Sequence, residues 1–285
     1  MAGIFDDRPC ELGEGPLWHP GRGQLWWFDI LGRRLLTRTD EGAGTLHLPE
    51  MFSAAGWVDH DRLFAASETG FWLIDIPSGR LERIAALLAD DPGTRSNDGR
   101  ADPWGGFWIG TMGKRAEPGR GAIHRYLRGE VRTLFPGIGI PNAISFTPDR
   151  RFAHFADSAA AKVWRVKLDA AGWPAGEPSL FLDLAGQAGV PDGAVCDAAG
   201  NLWLAEWGAA RVAVYGPDGR LQRTVGVAGR HASCPAFGGP GLGTLFVTSA
   251  RENLTAAEIA AEPLNGCTFM AEAGAKGLPE PAVVP

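Results

Sequence analysis

One five-residue pattern returns six times along this chain, and no other feature limits the fold so tightly. It reads LWWFD from Leu25, LFAAS from Leu63, FWIGT from Phe107, AHFAD from Ala153, LWLAE from Leu202 and LFVTS from Leu245. The second residue is aromatic or His each time, and the fifth is polar: Asp29, Ser67, Thr111, Asp157, Glu206 and Ser249. Successive copies start 38, 44, 46, 49 and 43 residues apart. Short apolar runs of this kind suit buried strands. Turn-forming stretches such as HPGRGQ, DPWGG, TPDRR and DAAGN precede most of them, and a further strand-like pair follows each, as in TGFWLIDIPSGRLERIA. One unit is then about four short antiparallel strands in roughly 45 residues, the period and content of a β-propeller blade. The pattern predicts an all-β, six-bladed β-propeller forming a single domain over residues 1–285. AAEIAAEPL is the one stretch that predicts a short helical turn, on a loop.

Composition agrees and narrows the function classes. Forty glycines and 21 prolines in 285 residues suit a chain that turns every eight to twelve residues. A net charge of −6 without a long basic run argues against a nucleic-acid surface. No window approaches eighteen uninterrupted apolar residues, so no membrane span is expected, and the first residues lack the pattern of a signal peptide. Cys10, Cys196, Cys234 and Cys267 lie far apart and form no CxxC pair, which predicts buried free thiols and a cytoplasmic protein. No obligate protein partner is visible.

Ten or eleven residues before the pentapeptides lie Glu14, Phe52 or Ser53, Asn97, Asn142, Asp192, and Cys234 or Pro235. Equivalent positions in a propeller face equivalent places around its axis, so the side chains of Glu14, Asn97, Asn142 and Asp192 should converge. Two carboxylates with amide oxygens form an all-oxygen set suited to a hard divalent cation. Gly13 and Gly15, which flank Glu14 in LGEGPLW, would let the chain turn so that this carboxylate aims down the axis. Glutamate is not a turn former, so turn chemistry alone does not explain it. Asp29, Asp157 and Glu206 are expected to tether backbone, and Trp18, Trp104 and Trp207 are candidates for a pocket mouth. The sequence contains no GxSxG, no HExxH, no GxGxxG opening a helix and no phosphate loop.

In order and spacing, LGEGPLW, RSNDGRADPWGGFWIGTM, PNAISFTPD, FADS, PDGAVCDAAGNLWLAEWG and AFGGPGLGTLFVTSAREN resemble the senescence-marker-protein-30/gluconolactonase, or regucalcin-like, family. The resemblance runs from about residue 10 to KGLPE at 276–280. It implies a six-bladed propeller that hydrolyses sugar lactones with one divalent cation: Ca²⁺, Mn²⁺, Zn²⁺, Mg²⁺ or Fe²⁺. The family's metal ligands fall on Glu14, Asn142 and Asp192, and its substrate-binding arginine and asparagine on Arg95 and Asn97. Two departures stand out. The chain has Pro-Asn-Ala where the family commonly has Pro-Asn-Gly, and Lys114 and Arg115 follow GTM where some members carry a carboxylate.

The expected reaction is hydrolysis of an aldonolactone to its aldonic acid. Asp192 is expected to position or deprotonate the attacking water, and Arg95 and Asn97 to orient the substrate. If Lys114 and Arg115 reach the pocket, they favour a substrate with an extra anionic group; otherwise they are a solvated loop tip. A non-catalytic cation-binding propeller and a hydrolase of another activated ester stand as alternatives.

Overall fold

Each pentapeptide lies in the second strand of a four-stranded antiparallel sheet in the computed structural model, which describes residues 1–285. Those second strands are Gln24–Asp29, Arg62–Ser67, Phe107–Gly113, Phe152–Asp157, Leu202–Trp207 and Thr244–Ala250. The strand before each is the innermost of its blade: Gly13–His19, Phe52–Asp59, Thr94–Ala101, Pro141–Phe146, Val190–Cys196 and His231–Gly238 for blades I to VI. Each innermost strand packs against those of the two neighbouring blades, which closes a ring.

The sheets pack face to face, and the aromatic at pentapeptide position two fills the gap between blades. Trp26, Phe64, Trp108, His154, Trp203 and Phe246 are all buried. Trp108 meets Phe146 of the next blade edge-on at 5.3 Å, and Trp203 meets Phe237 at 5.1 Å. Burying one such aliphatic or aromatic side chain is worth about 1.5–3 kcal/mol, so the repeat is mainly a packing device. His154 takes the same role, with Cys196 Sγ of the next blade 3.8 Å from its Nδ1 and Phe181 of its own blade at 4.8 Å, and burial pushes its imidazole down to about 3, so it stays neutral.

The ring closes through a strand the repeat does not reveal. Gly3–Asp6 pairs with Thr268–Glu272 and becomes the outermost strand of blade VI, whose other three strands come from the end of the chain. The polar fifth positions act as expected for two of the three acids. Asp29 accepts from the backbone N–H of Leu12 and Gly32, and Asp157 from Gly139 and Ile140. Glu206 differs: it binds the side chains of Arg211 and Tyr215. The predicted helical turn is Ala256–Ala261, started by a Thr255–Glu258 capping box. All four cysteines are buried and free. No helix is long and apolar enough to cross a membrane.

Candidate active site

All six innermost strands slip register near their start, and the slip follows the same pattern around the ring. It falls between Glu14 and Leu17, Phe52 and Ala54, Ser96 and Gly99, Asn142 and Ser145, Pro191 and Ala194, and Ala232 and Pro235. A bulge leaves residues unpaired and re-aims their side chains. The equivalence inferred from the repeat therefore has a backbone cause: Glu14, Asn97, Asn142 and Asp192 sit at or beside the bulges of blades I, III, IV and V.

Gly13 and Gly15 are both required around Glu14. A Cβ at Gly13 would lie 2.5 Å from the carbonyl oxygen of Ser249 in blade VI, and one at Gly15 would lie 2.2 Å from that of Ser53 in blade II. Gly15 also has a φ of +54°, the left-handed region that side chains disfavour. The bulge carrying Glu14 is thus wedged between two neighbouring backbones that leave no space for a side chain.

These residues line one cavity of about 360 Å³, within the range of small-molecule sites. Glu14, Arg95, Asn97, Asn142 and Asp192 all face it, with Lys114, Arg115 and Trp207 also in its wall. Trp18 and Trp104 do not belong to it. Trp18 stacks on Phe246 at 5.7 Å, and Trp104 donates to Ala170 O elsewhere on the ring.

A directed chain of hydrogen bonds runs along one side. Arg95 donates to Asn97 Oδ1 at 2.7 Å, and Asn97 Nδ2 donates to Asn142 Oδ1 at 3.0 Å. Asn142 Nδ2 donates to Ser158 Oγ at 2.8 Å, and Ser158 donates to Pro191 O at 2.6 Å, next to Asp192. The chain fixes the Asn142 amide with its oxygen toward Asn97, leaving a lone pair for a further partner. Ala143, which follows it, has a φ of 55°. This is the position where the resembled family commonly has glycine.

The electrostatics of the cavity are those of crowded carboxylates. Burial pushes Glu14 up to about 8, with Asp98 adding repulsion, and burial and Glu14 together push Asp192 well above the usual carboxylate range. Arg95 is also buried, which lowers its guanidinium pKa, although Glu252, Glu14 and Asp192 oppose that effect. No three His, Cys, Asp or Glu side chains gather as a metal-binding group. An oxygen-only set of two carboxylates and one amide would hold a hard cation such as Ca²⁺, Mg²⁺ or Mn²⁺, and a 2+ charge would relieve the repulsion that raises both acids.

Sequence reasoning missed three polar wall residues: Ser158, Glu252 and, next to Glu252, Asn253. Ser158 follows the fifth-position Asp157 and sits in a short 3-10 turn capped by that aspartate. Glu252 lies on the loop after Ser249, half-buried, and burial raises its pKa. At the place of Ser158, blade I has Ile30 and blade V has Trp207, and no other blade carries an acid at the place of Glu252.

Residues 12–251 match the family described as SMP-30/Gluconolactonase/LRE-like region. The chain belongs to this family. It is 43% identical over 281 residues, covering 98% of this chain and 95% of its relative, to a Rhizobium meliloti (strain 1021) protein provisionally named a sugar lactone lactonase. It is 35% identical over 278 residues to a 6-deoxy-6-sulfogluconolactonase of Pseudomonas putida, covering 96% and 95% of the two chains. Among solved structures, a calcium-binding protein, regucalcin, from Agrobacterium tumefaciens superposes with a TM-score of 0.98 at 41% identity, covering 100% of this chain and 98% of the other.

Proposed function

We propose that this member of the SMP-30/gluconolactonase/LRE-like family hydrolyses sugar lactones to aldonic acids with one divalent cation held by Glu14, Asn142 and Asp192. The observation that carries this reading is the convergence of three oxygen donors from equivalent bulges beside a tethered Arg95–Asn97 pair. The lactonase names of the relatives support the reaction class. When bound, such a cation supplies electrophilic assistance to carbonyl attack and makes nearby water more acidic.

The chain's own groups then divide the work. Arg95 and Asn97 hold the lactone by its oxygens, with Asn97 itself locked by Arg95 and Asn142. One Asp192 oxygen would hold the cation, and the other would take a proton from the attacking water as the water oxygen bonds to the carbonyl carbon. Collapse breaks the bond between carbonyl carbon and ring oxygen, and the proton passes to that leaving oxygen. The product carries a new hydroxyl and a carboxylic acid, which releases the second water proton to solvent and becomes the carboxylate.

Lys114 and Arg115 bear on the substrate class. Both border the cavity; Lys114 contacts the Glu68 carboxylate, whereas Arg115 touches Glu117 through Nε at 3.2 Å and its terminal nitrogens make no hydrogen bond. Arg115 is therefore the freer cation at the rim, suited to an anionic group at the end of the substrate distant from the lactone carbonyl. The activity named for the 35%-identical relative fits this refinement.

The test is acid release by the chelated protein on neutral and anionic lactones, with Ca²⁺, Mn²⁺, Zn²⁺, Mg²⁺ or Fe²⁺ restored singly. Hydrolysis that requires both cation and Asp192 supports the reading. Cation binding without acid release on any lactone would favour the non-catalytic cation binder. An Arg115→Ala variant that keeps the wild-type ratio of anionic to neutral turnover would sink the refinement.

A further inference from the structure

At the bulges of blades IV and V, one guanidinium holds both strands. Arg100 Nε donates to Ile144 O at 3.1 Å, and a terminal nitrogen donates to Ala194 O at 3.0 Å. Ile144 and Ala194 each lie two residues after a proposed ligand, Asn142 and Asp192. The same residue is held at both of its backbone groups, because Ile144 N–H donates to Asp98 Oδ2 at 2.7 Å. Asp98 and Arg100 belong to one strand of blade III, so that strand holds the inner strands of blades IV and V at or within their ligand-bearing bulges.

A guanidinium this deeply buried needs a counter-charge. Arg100 is 9% exposed, and its remaining terminal nitrogen contacts the carboxylate of Glu280, which comes from the C-terminal tail. A second cavity, of only about 10 Å³, lies between Arg100, Leu17, Ala55, Cys234 and Glu280 on the axis beneath the site. The tail is itself built in. Trp57 Nε1 donates to Glu280 O at 2.7 Å, Val283 N–H donates to Trp57 O at 2.9 Å, and Val283 is 2% exposed. A Cβ at Gly56 would lie 2.6 Å from a Val283 methyl, so blade II has the room this tail needs.

We propose that Arg100, held in charge balance by Glu280, is a positioning residue that fixes the separation of Asn142 and Asp192, so the last residues of the chain set the cation affinity of the site. The inference rests on the cation reading above. Arg100 touches neither ligand side chain; it acts through the two carbonyls. Groups that orient metal ligands typically contribute about 10–100-fold in metal affinity.

The test is calorimetric titration of the chelated full chain with Ca²⁺ and with Mn²⁺ alone, no lactone present. In Glu280→Ala the dissociation constant should rise about 10-fold or more, and Glu280→Gln, which keeps shape and a hydrogen bond but loses the counter-charge, should weaken binding in the same direction by a smaller factor. Unchanged affinity in a folded Glu280→Ala chain would reduce the tail to a plug and overturn the proposal. If Glu280→Ala does not fold, Arg100→Lys supplies the reading, since it keeps the charge but loses the planar fork that reaches two carbonyls. Wild-type affinity there overturns the proposal equally. A wild-type chain that takes up neither ion overturns the cation reading and this one with it, an outcome distinct from binding that the variants leave unaltered.

Discussion

Ser158→Ala is the perturbation whose consequences can be worked through most fully. Its hydroxyl accepts from Asn142 and donates to Pro191 O, and Ser158, Asn142 and Pro191 are all buried. Deleting the oxygen removes two hydrogen bonds, each worth a net 0.5–1.5 kcal/mol or so. An orphaned buried partner adds about 1–3 kcal/mol, but Asn142 borders the cavity, where water can replace the lost acceptor. The Pro191 carbonyl has less access, so the total should be about 2 kcal/mol. For a domain of this size that is a fall in Tm of roughly 4 °C. Function should suffer more than stability. Without Ser158 the Asn142 amide keeps only its bond from Asn97, and the link from blade IV to the backbone beside Asp192 is cut. We expect cation affinity or kcat/KM to fall about 10–100-fold. Urea denaturation with cation titration and lactone kinetics would measure both. A loss below about 0.5 kcal/mol with unaltered cation affinity would show that the hydrogen-bond chain does not hold the site together.

Other substitutions separate site from scaffold. Glu14→Gln should raise the Tm of the chelated chain, because it removes a carboxylate that burial and Asp98 disfavour, while lactone hydrolysis falls to background; a lower Tm would refute the crowding argument. In the chelated wild type, Glu14 titrates at about 8 when folded, against 4.5 as its ordinary value. Folding therefore favours the protonated form. That contribution is full below about pH 4.5 and is lost as pH rises through about 8, so Tm should fall over this window, and less steeply in Glu14→Gln. Ala143→Gly relieves a left-handed alanine by about 1–2 kcal/mol. It gives back about 0.5–1 kcal/mol to chain entropy and about 0.8 kcal/mol in a buried methyl, so stability measured in urea should stay within about 1 kcal/mol of wild type.

What the sequence disclosed was whatever repeats. The Leu-aromatic strands recur because every blade must fill the same gap with Trp108, Trp203 or their equivalents. Glu14, Asn97, Asn142 and Asp192 were found by register because a bulge recurs at the start of each innermost strand. Features that occur once left no such trace. Ser158 sits in a turn that blade I shares, where Arg33 N–H donates to Ile30 O as Ala161 N–H does to Ser158 O, but only blade IV has serine there. Glu252 belongs to a loop of blade VI and Glu280 to a tail outside the repeat. Gly3–Asp6 was hidden for another reason: its partner strand, Thr268–Glu272, lies at the opposite end of the chain, and periodicity carries no information about which ends meet. Trp18 and Trp104 were candidates for the pocket because aromatic residues serve mouths and cores alike, and only the packing separates the two.

The pairing of Gly3 with Met270 has a consequence for how the protein is made. During synthesis the first strand leaves the ribosome long before its partner exists. At about 5–20 residues per second the wait is on the order of 15–50 s. Blades I to V can form their sheets in that interval, but blade VI cannot be completed, and until it is, an unpaired strand edge stays open to other nascent chains. The break between the first and last strands thus lies within a sheet rather than between sheets, and emergence of Thr268–Glu272, not completion of any of blades I to V, is the event after which the ring can shut.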